Sequence, residues 1–147
     1  MELAVLAVRA ELVPQAIREC VEAGVSGAIV VSGGFAETGR MDIEEELRAL
    51  SEQNGFPIIG PNCLGIYSPP HMDAFFLPHE RLVVPEPGAV ALISQSGGIL
   101  VDLIIKLTQE DVGVSKAVSI GNKAAVDEVD LLDYFSKDPS TKVIGIY

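Results

Sequence analysis

The stretch of this sequence best suited to chemistry is a five-residue bend, Ser94-Gln95-Ser96-Gly97-Gly98, which leads from an apolar run straight into an amphipathic one. Glycines let the backbone come close to a ligand, and the first turn of a helix leaves amide hydrogens without intrahelical acceptors. The aligned peptide dipoles favour an anion there, by about 0.3–1 kcal/mol at a surface and up to ~2 kcal/mol when partly buried. A phosphate would suit such a bend. The same residues also fit a plainer role, with Ser96 as an N-cap and the glycines making a tight turn. They do not form a nucleophile elbow, which would need glycine where Ser94 stands.

Four more segments share the setting, each at the carboxyl end of an apolar run: Val8-Arg9-Ala10, Ser32-Gly33-Gly34-Phe35, Gly60-Pro61-Asn62-Cys63-Leu64-Gly65 and Ser119-Ile120-Gly121-Asn122. Ligands of open α/β sheets gather at such ends. Ser32-Gly33-Gly34 reads equally as a simple strand-to-helix turn. Cys63 reads as a small buried thiol, because no neighbouring cation would hold a thiolate. Cys20 falls on an apolar helix face and reads as packing. His71 and His79 stand in a proline-rich stretch, without metal-ligand spacing to another His or Cys, and are expected as solvated loop residues. Asp42, Glu44, Glu45 and Glu46 start one helix, and Asp127, Glu128 and Asp130 another, where acids complement the dipole. No acid–base pair and no metal cluster is expected.

The elements that would position these segments follow from the apolar spacing. Residues 3–8 form a continuous apolar run, expected as a strand buried on both faces of a parallel sheet. Val13, Ala16, Ile17, Cys20 and Val21 mark one face of a helix with Pro14 in its first turn and Gly24 at its end. Strands at 28–31 and 57–60 flank a surface helix over 42–54. Between Gly65 and Gly88 five prolines interrupt ladders and helices, so 68–88 is expected as a connector pinned by Phe75, Phe76 and Leu77. Strands at 89–93, 116–120 and 142–147 then alternate with helices carrying Ile99, Leu100, Leu103, Ile104 and Leu107, and Val126, Val129, Leu132 and Phe135. Each half therefore reads β-α-β-α-β. That order implies an α/β protein of two small parallel-sheet lobes, residues 1–67 and 89–147. Buried-type strands at both extremes suggest part of something larger, or a subunit that completes its sheets with a partner chain.

The 147 residues are 48% hydrophobic, enough for a real core, and carry a net charge of −11. That acidity argues against sequence-independent nucleic-acid binding and against a polybasic membrane anchor. The absence of a long apolar run and of a charged amino-terminal region, with only two cysteines, is read as a reduced, cytoplasmic protein.

Ser-Gly-Gly-Phe-Ala-Glu-Thr-Gly (32–39), Gly-Pro-Asn-Cys-Leu-Gly (60–65), Ala-Leu-Ile-Ser-Gln-Ser-Gly-Gly (91–98), Ser-Ile-Gly-Asn-Lys (119–123), and Asp133-Tyr134-Phe135 with Asp138-Pro139-Ser140-Thr141 resemble, in this order, the NDP-forming acyl-CoA synthetases. The family includes ADP-forming acetyl-CoA synthetase and the α subunit of succinyl-CoA synthetase. The resemblance implies a Rossmann-like CoA-binding lobe followed by a flavodoxin-like lobe. It implies coupling of an acid and CoA to a nucleoside triphosphate through an acyl phosphate and a phosphohistidine. It assigns Val8, Arg9, Ala10, Ser32, Gly33 and Gly34 to CoA. To phosphate it assigns Asn62, Cys63, Ser94, Ser96, Gly97, Gly98 and Asn122. Val101 stands where the succinate enzymes carry an aromatic, which favours the acetyl/acyl branch. The family's first Gly-rich turn, its phosphohistidine and its ATP-grasp module have no counterpart among these residues. ATP or ADP and Mg are therefore expected to be held by other modules, and the chain by itself is expected to be inactive. A non-catalytic CoA- or nucleotide-binding module is the alternative.

Overall fold

The computed structural model describes residues 2–78 and 83–147, so His79 lies outside the described residues. The first half forms three parallel strands, β1 (Ala4–Leu6), β2 (Ala28–Val30) and β3 (Ile58–Ile59), in spatial order β1-β2-β3. Helices α1 (Val13–Glu22) and α2 (Met41–Asn54) join them. α1 carries Pro14 in its first turn and buries Val13, Pro14 and Ile17, while α2 buries Ile43, Leu47 and Leu50 and ends at left-handed Gly55. These side chains close over β2 and Phe35 in one core. β1 is shorter than the apolar run and only half buried, with Val5 48% exposed, because it stands at the edge of its sheet.

The second half contributes β6 (Pro87–Ser94), α3 (Gly97–Gln109), β7 (Val114–Ser119), α4 (Glu128–Ser136) and β8 (Val143–Ile146). β6 pairs in parallel with both β7 and β8. α4 starts with a capping box in which Asp127 accepts from Val129 and Asp130 while Asp130 accepts from the Asp127 amide. Expectation and structure differ between the halves. The stretch read as a strandless connector holds a hairpin, β4 (Gly65–Ser68) and β5 (Met72–Asp73), and β4 pairs antiparallel with β7. The second sheet is therefore mixed, in order β5-β4-β7-β6-β8. Pro69 and Pro70 sit in the hairpin turn, Pro78 and Pro85 lie beyond it, and Pro87 is the first residue of β6, a position where a strand tolerates proline. Phe75 stacks on buried Tyr67 at 5.9 Å, whose hydroxyl donates to the Pro85 carbonyl at 3.1 Å. The Phe76 side chain is exposed and packs on neither lobe, while its backbone amide donates to the Leu64 carbonyl at 2.7 Å.

The halves share a core: Ile29, Ile59 and Cys63 pack with Ile93, Val118, Ile120 and Phe135. The loop after β7 also runs along the free edge of β3, where Asn122, Ala124 and Val126 donate to the carbonyls of Pro61, Gly60 and Ile58. Among the described residues no helix is long and apolar enough to cross a membrane.

Candidate functional site

The bend before α3 stands at the carboxyl edge of the second sheet. Ser94 is fully buried and its Oγ donates to the Ser96 carbonyl at 2.7 Å, bracing the bend from beneath. The Gln95 amide donates to the Tyr147 carbonyl at 2.9 Å. Ser96 is the N-cap: its Oγ accepts from the Ile99 amide at 3.4 Å and its carbonyl accepts from Leu100 at 3.1 Å. Among the described residues the amides of Gly97 and Gly98 meet no acceptor, and Gly98 is exposed. The two readings of this bend thus hold together: Ser96 caps the third helical amide and leaves the first two facing outwards.

The turn after β3 lies against this bend. Gly60 has φ +99°, and a β-carbon there would stand 2.4 Å from the Val30 carbonyl oxygen. Asn62 follows in the left-handed region at φ +58°, with its amide donating to the Ser32 carbonyl at 2.8 Å. Leu64 donates its amide to the buried Ser119 Oγ at 3.1 Å, which draws the turn down onto β7. Cys63 turns the other way, with its Sγ 3.3 Å from the Val30 carbonyl, inside the shared core. Burial pushes its pKa up to about 12, so it serves packing and offers no thiolate. Its side chain does not reach the open face of the turn, so the expected phosphate role of Cys63 has no support from its thiol.

On the first sheet, Ser32 Oγ donates to the Val8 carbonyl at 2.5 Å, and a β-carbon on Gly34 would lie 3.5 Å from that of Ala10. The two segments expected to touch CoA are therefore neighbours. Arg9 is exposed and takes part in no ion pair among the described residues, so its guanidinium is available to an anionic ligand. The turn amides of Gly34 to Ala36 are already engaged. Glu37 accepts from Gly34 at 2.5 Å and from Phe35 at 3.2 Å, and Glu44 accepts from Ala36 at 3.3 Å.

Asn122 stands between the two sheets. Its Nδ2 donates to Glu37 Oε2 at 2.5 Å and to Glu44 Oε2 at 2.9 Å, and its Oδ1 accepts from Asn62 Nδ2 at 3.3 Å. Both amide hydrogens of Asn122 are thus committed to carboxylates and its backbone amide to Pro61. In this arrangement Asn122 offers no hydrogen to a phosphate; Asn62, which is exposed, keeps one. Burial raises the Glu37 carboxyl, but the hydrogen bonds from Asn122 and from the Gly34 and Phe35 amides outweigh it, and its pKa lies below the ordinary value. Glu37 stands in the sequence only as part of the 32–39 motif, and Glu44 only as one of the acids that complement the dipole of α2. The available signal was a carboxylate three residues after a glycine turn, within reach of that turn's amides. A cavity of about 360 Å³ beside the hairpin, lined by Tyr67, His71, Asp73 and Glu86 among others, shares no residue with this cluster.

Residues 1–69 match the family described as a CoA binding domain, and residues 87–147 match that described as a succinyl-CoA ligase like flavodoxin domain. The whole chain is 43% identical to an acetate–CoA ligase (ADP-forming) I of Archaeoglobus fulgidus, covering 21% of it, and 39% identical to the α subunit of the Pyrococcus furiosus acetate–CoA ligase (ADP-forming) I, covering 32% of it. The solved dinucleotide-forming acetyl-coenzyme A synthetase 1 of Ca. Korarchaeum cryptofilum, in complex with phosphate and ADP, superposes on the whole chain with a TM-score of 0.90 at 42% identity, and the chain covers 31% of it. The chain thus spans about a fifth to a third of the relatives it matches. With a CoA-binding domain followed by a succinyl-CoA ligase-like flavodoxin domain, and alignment to these ligases along its entire length, the chain belongs to the NDP-forming acyl-CoA synthetase family.

Proposed function

We propose that this chain is the CoA- and phosphate-binding part of an NDP-forming acyl-CoA synthetase, which turns an acid, CoA and ATP into acyl-CoA, ADP and phosphate through an acyl phosphate and a phosphohistidine. The phosphohistidine, the nucleotide and its Mg belong to other parts of such an enzyme, supplied by a longer chain or a partner subunit. Residues 1–67 would serve as the CoA lobe and 89–147 as the phosphate lobe, with 68–88 linking them and adding β5 to the second sheet.

CoA supplies the thiol that takes up the acyl group. Val8, Arg9, Ala10, Ser32, Gly33 and Gly34 would hold it, with Arg9 as the cation available to a CoA phosphate. Because the Gly34 and Phe35 amides are engaged by Glu37, this turn would meet neutral parts of the molecule. The phosphoryl group would sit at the start of α3, on the amides of Gly97 and Gly98 and beside Asn62. Ser94 and Ser96 shape that bend, while Cys63 and Asn122 act from behind it.

The observation that carries this reading is the pair of outward-facing amides at Gly97 and Gly98, braced by Ser94 and overlaid by the turn after β3. Inorganic phosphate should raise the melting temperature of the chain in a saturable way. Gly98→Glu tests the site: a β-carbon there meets only Ser96 Oγ at 4.0 Å, and a carboxylate in a first helical turn favours the helix. The variant should fold and lose the phosphate response. A response that persists in Gly98→Glu, or none in the unmodified chain, refutes the phosphate site. Acyl-CoA formation by the isolated chain would refute the division of labour.

A further inference from the structure

The four side chains Glu37, Glu44, Asn122 and Asn62 form one directed chain of hydrogen bonds. Two carboxylates accept both hydrogens of Asn122, and Asn122 in turn presents its oxygen to Asn62. Rotating the Asn122 amide by half a turn would set its oxygen against two carboxylates and its nitrogen against the Asn62 nitrogen. The carboxylates thus dictate the orientation of both amides. Glu37 is itself held by the Gly34 and Phe35 amides, and Glu44 by Ala36, so the chain starts from rigid backbone. At the other end Asn62, kept at φ +58° in a turn whose Leu64 overlies Gly97, has one amide hydrogen left.

We propose that Glu37 is a positioning residue, which through Asn122 orients Asn62 so that its remaining amide hydrogen faces the anion at the start of α3. The inference rests on the phosphate reading above. It assigns Glu37 a part in anion recognition without contact to the anion. Preorganising a donor in this way removes the cost of ordering it on binding.

The test compares the unmodified 147-residue chain with Glu37→Gln, using inorganic phosphate and the side-chain amide resonances of Asn62 and Asn122. Glutamine keeps the shape and can still accept from Gly34 and Phe35, but its NH2 then meets the Asn122 NH2, so the Asn122 orientation is no longer imposed. Phosphate should shift the Asn62 side-chain resonance in the unmodified chain. Glu37→Gln should move the Asn122 and Asn62 resonances before any phosphate is added, and weaken phosphate binding at least threefold. Equal affinity in the two proteins overturns the inference and leaves the phosphate site standing. No binding by the unmodified chain, or binding unaffected by Gly98→Glu, overturns the phosphate reading and the inference with it. Should Glu37→Gln fail to fold, Asn122→Ala cuts the same chain of bonds: weakened binding supports the inference, and unchanged binding overturns it.

Discussion

Leu64, in the turn after β3, lies directly over Gly97 at the start of α3, so that a β-carbon on Gly97 would stand 2.5 Å from Leu64 Cγ. The contact fastens the first half of the chain onto the helix terminus of the second. It also explains a glycine that helix propensity alone would disfavour.

Gly97→Ala should therefore destabilise the protein by about 1–3 kcal/mol through overpacking, although alanine is the better helix former. Leu64→Ala in the same chain should relieve much of that cost. Urea unfolding of the two single variants and the double variant yields the coupling directly; simple additivity would show that the contact is not the cause.

Gly121 has φ +56°, and a β-carbon there would lie 2.1 Å from the Pro61 carbonyl oxygen and 2.5 Å from that of Asn62. Both neighbours are backbone and cannot swing aside. Gly121→Ala should cost roughly 3 kcal/mol or more and disturb the Asn62–Asn122 pair. A melting temperature equal to that of the parent would contradict this packing.

Acid should weaken the protein partly through Glu37. Its folded pKa is depressed below the ordinary 4.5, so its contribution is fully present above the unfolded pKa and is lost as pH falls through the folded one. Glu37→Gln should be less stable than the parent at neutral pH, and the gap should close as the solution is acidified below the usual carboxylate range. Asp127 and Glu128, also lowered, keep a residual acid dependence in the variant. Denaturant midpoints measured at several pH values give the comparison; a gap independent of pH would assign the effect to packing.

The two thiols should differ in reactivity. Cys63 is buried with its pKa pushed up to about 12, whereas Cys20 is partly accessible and only raised. At mildly alkaline pH an alkylating reagent should modify Cys20 first and Cys63 only on unfolding. Mass spectrometry of the native protein showing Cys63 labelled ahead of Cys20 would require the turn after β3 to open.

Much of the fold was legible in the residues. The i, i+3, i+4 spacing of Val13, Ile17 and Cys20 and of Ile43, Leu47 and Leu50 marked α1 and α2, because only one face of each helix meets the core. The short apolar runs marked the parallel strands for the same reason of burial. The hairpin was not legible: proline density around Pro69 and Pro70 argues locally against strands, and only pairing of Ile66 and Tyr67 with β7 overrides it. Of the candidate site, the bend at Ser96 to Gly98 stood out because capping residue, glycines and strand-to-helix step are adjacent in sequence.

The roles of Cys63, Asn122 and Glu37 could be decided only in three dimensions. Local spacing specifies which residues belong to one strand, helix or turn, since each is a contact between near neighbours in the chain. Whether Asn122 spends its hydrogens on a ligand or on Glu37, 85 residues away, depends on how two sheets pack through their shared core. Strands and helices, and a glycine bend able to receive an anion, were thus written in the sequence. Tertiary structure decided which side chains face that anion and which hold the others in place, because hydrogen bonds between distant segments exist only once the apolar faces between them have closed.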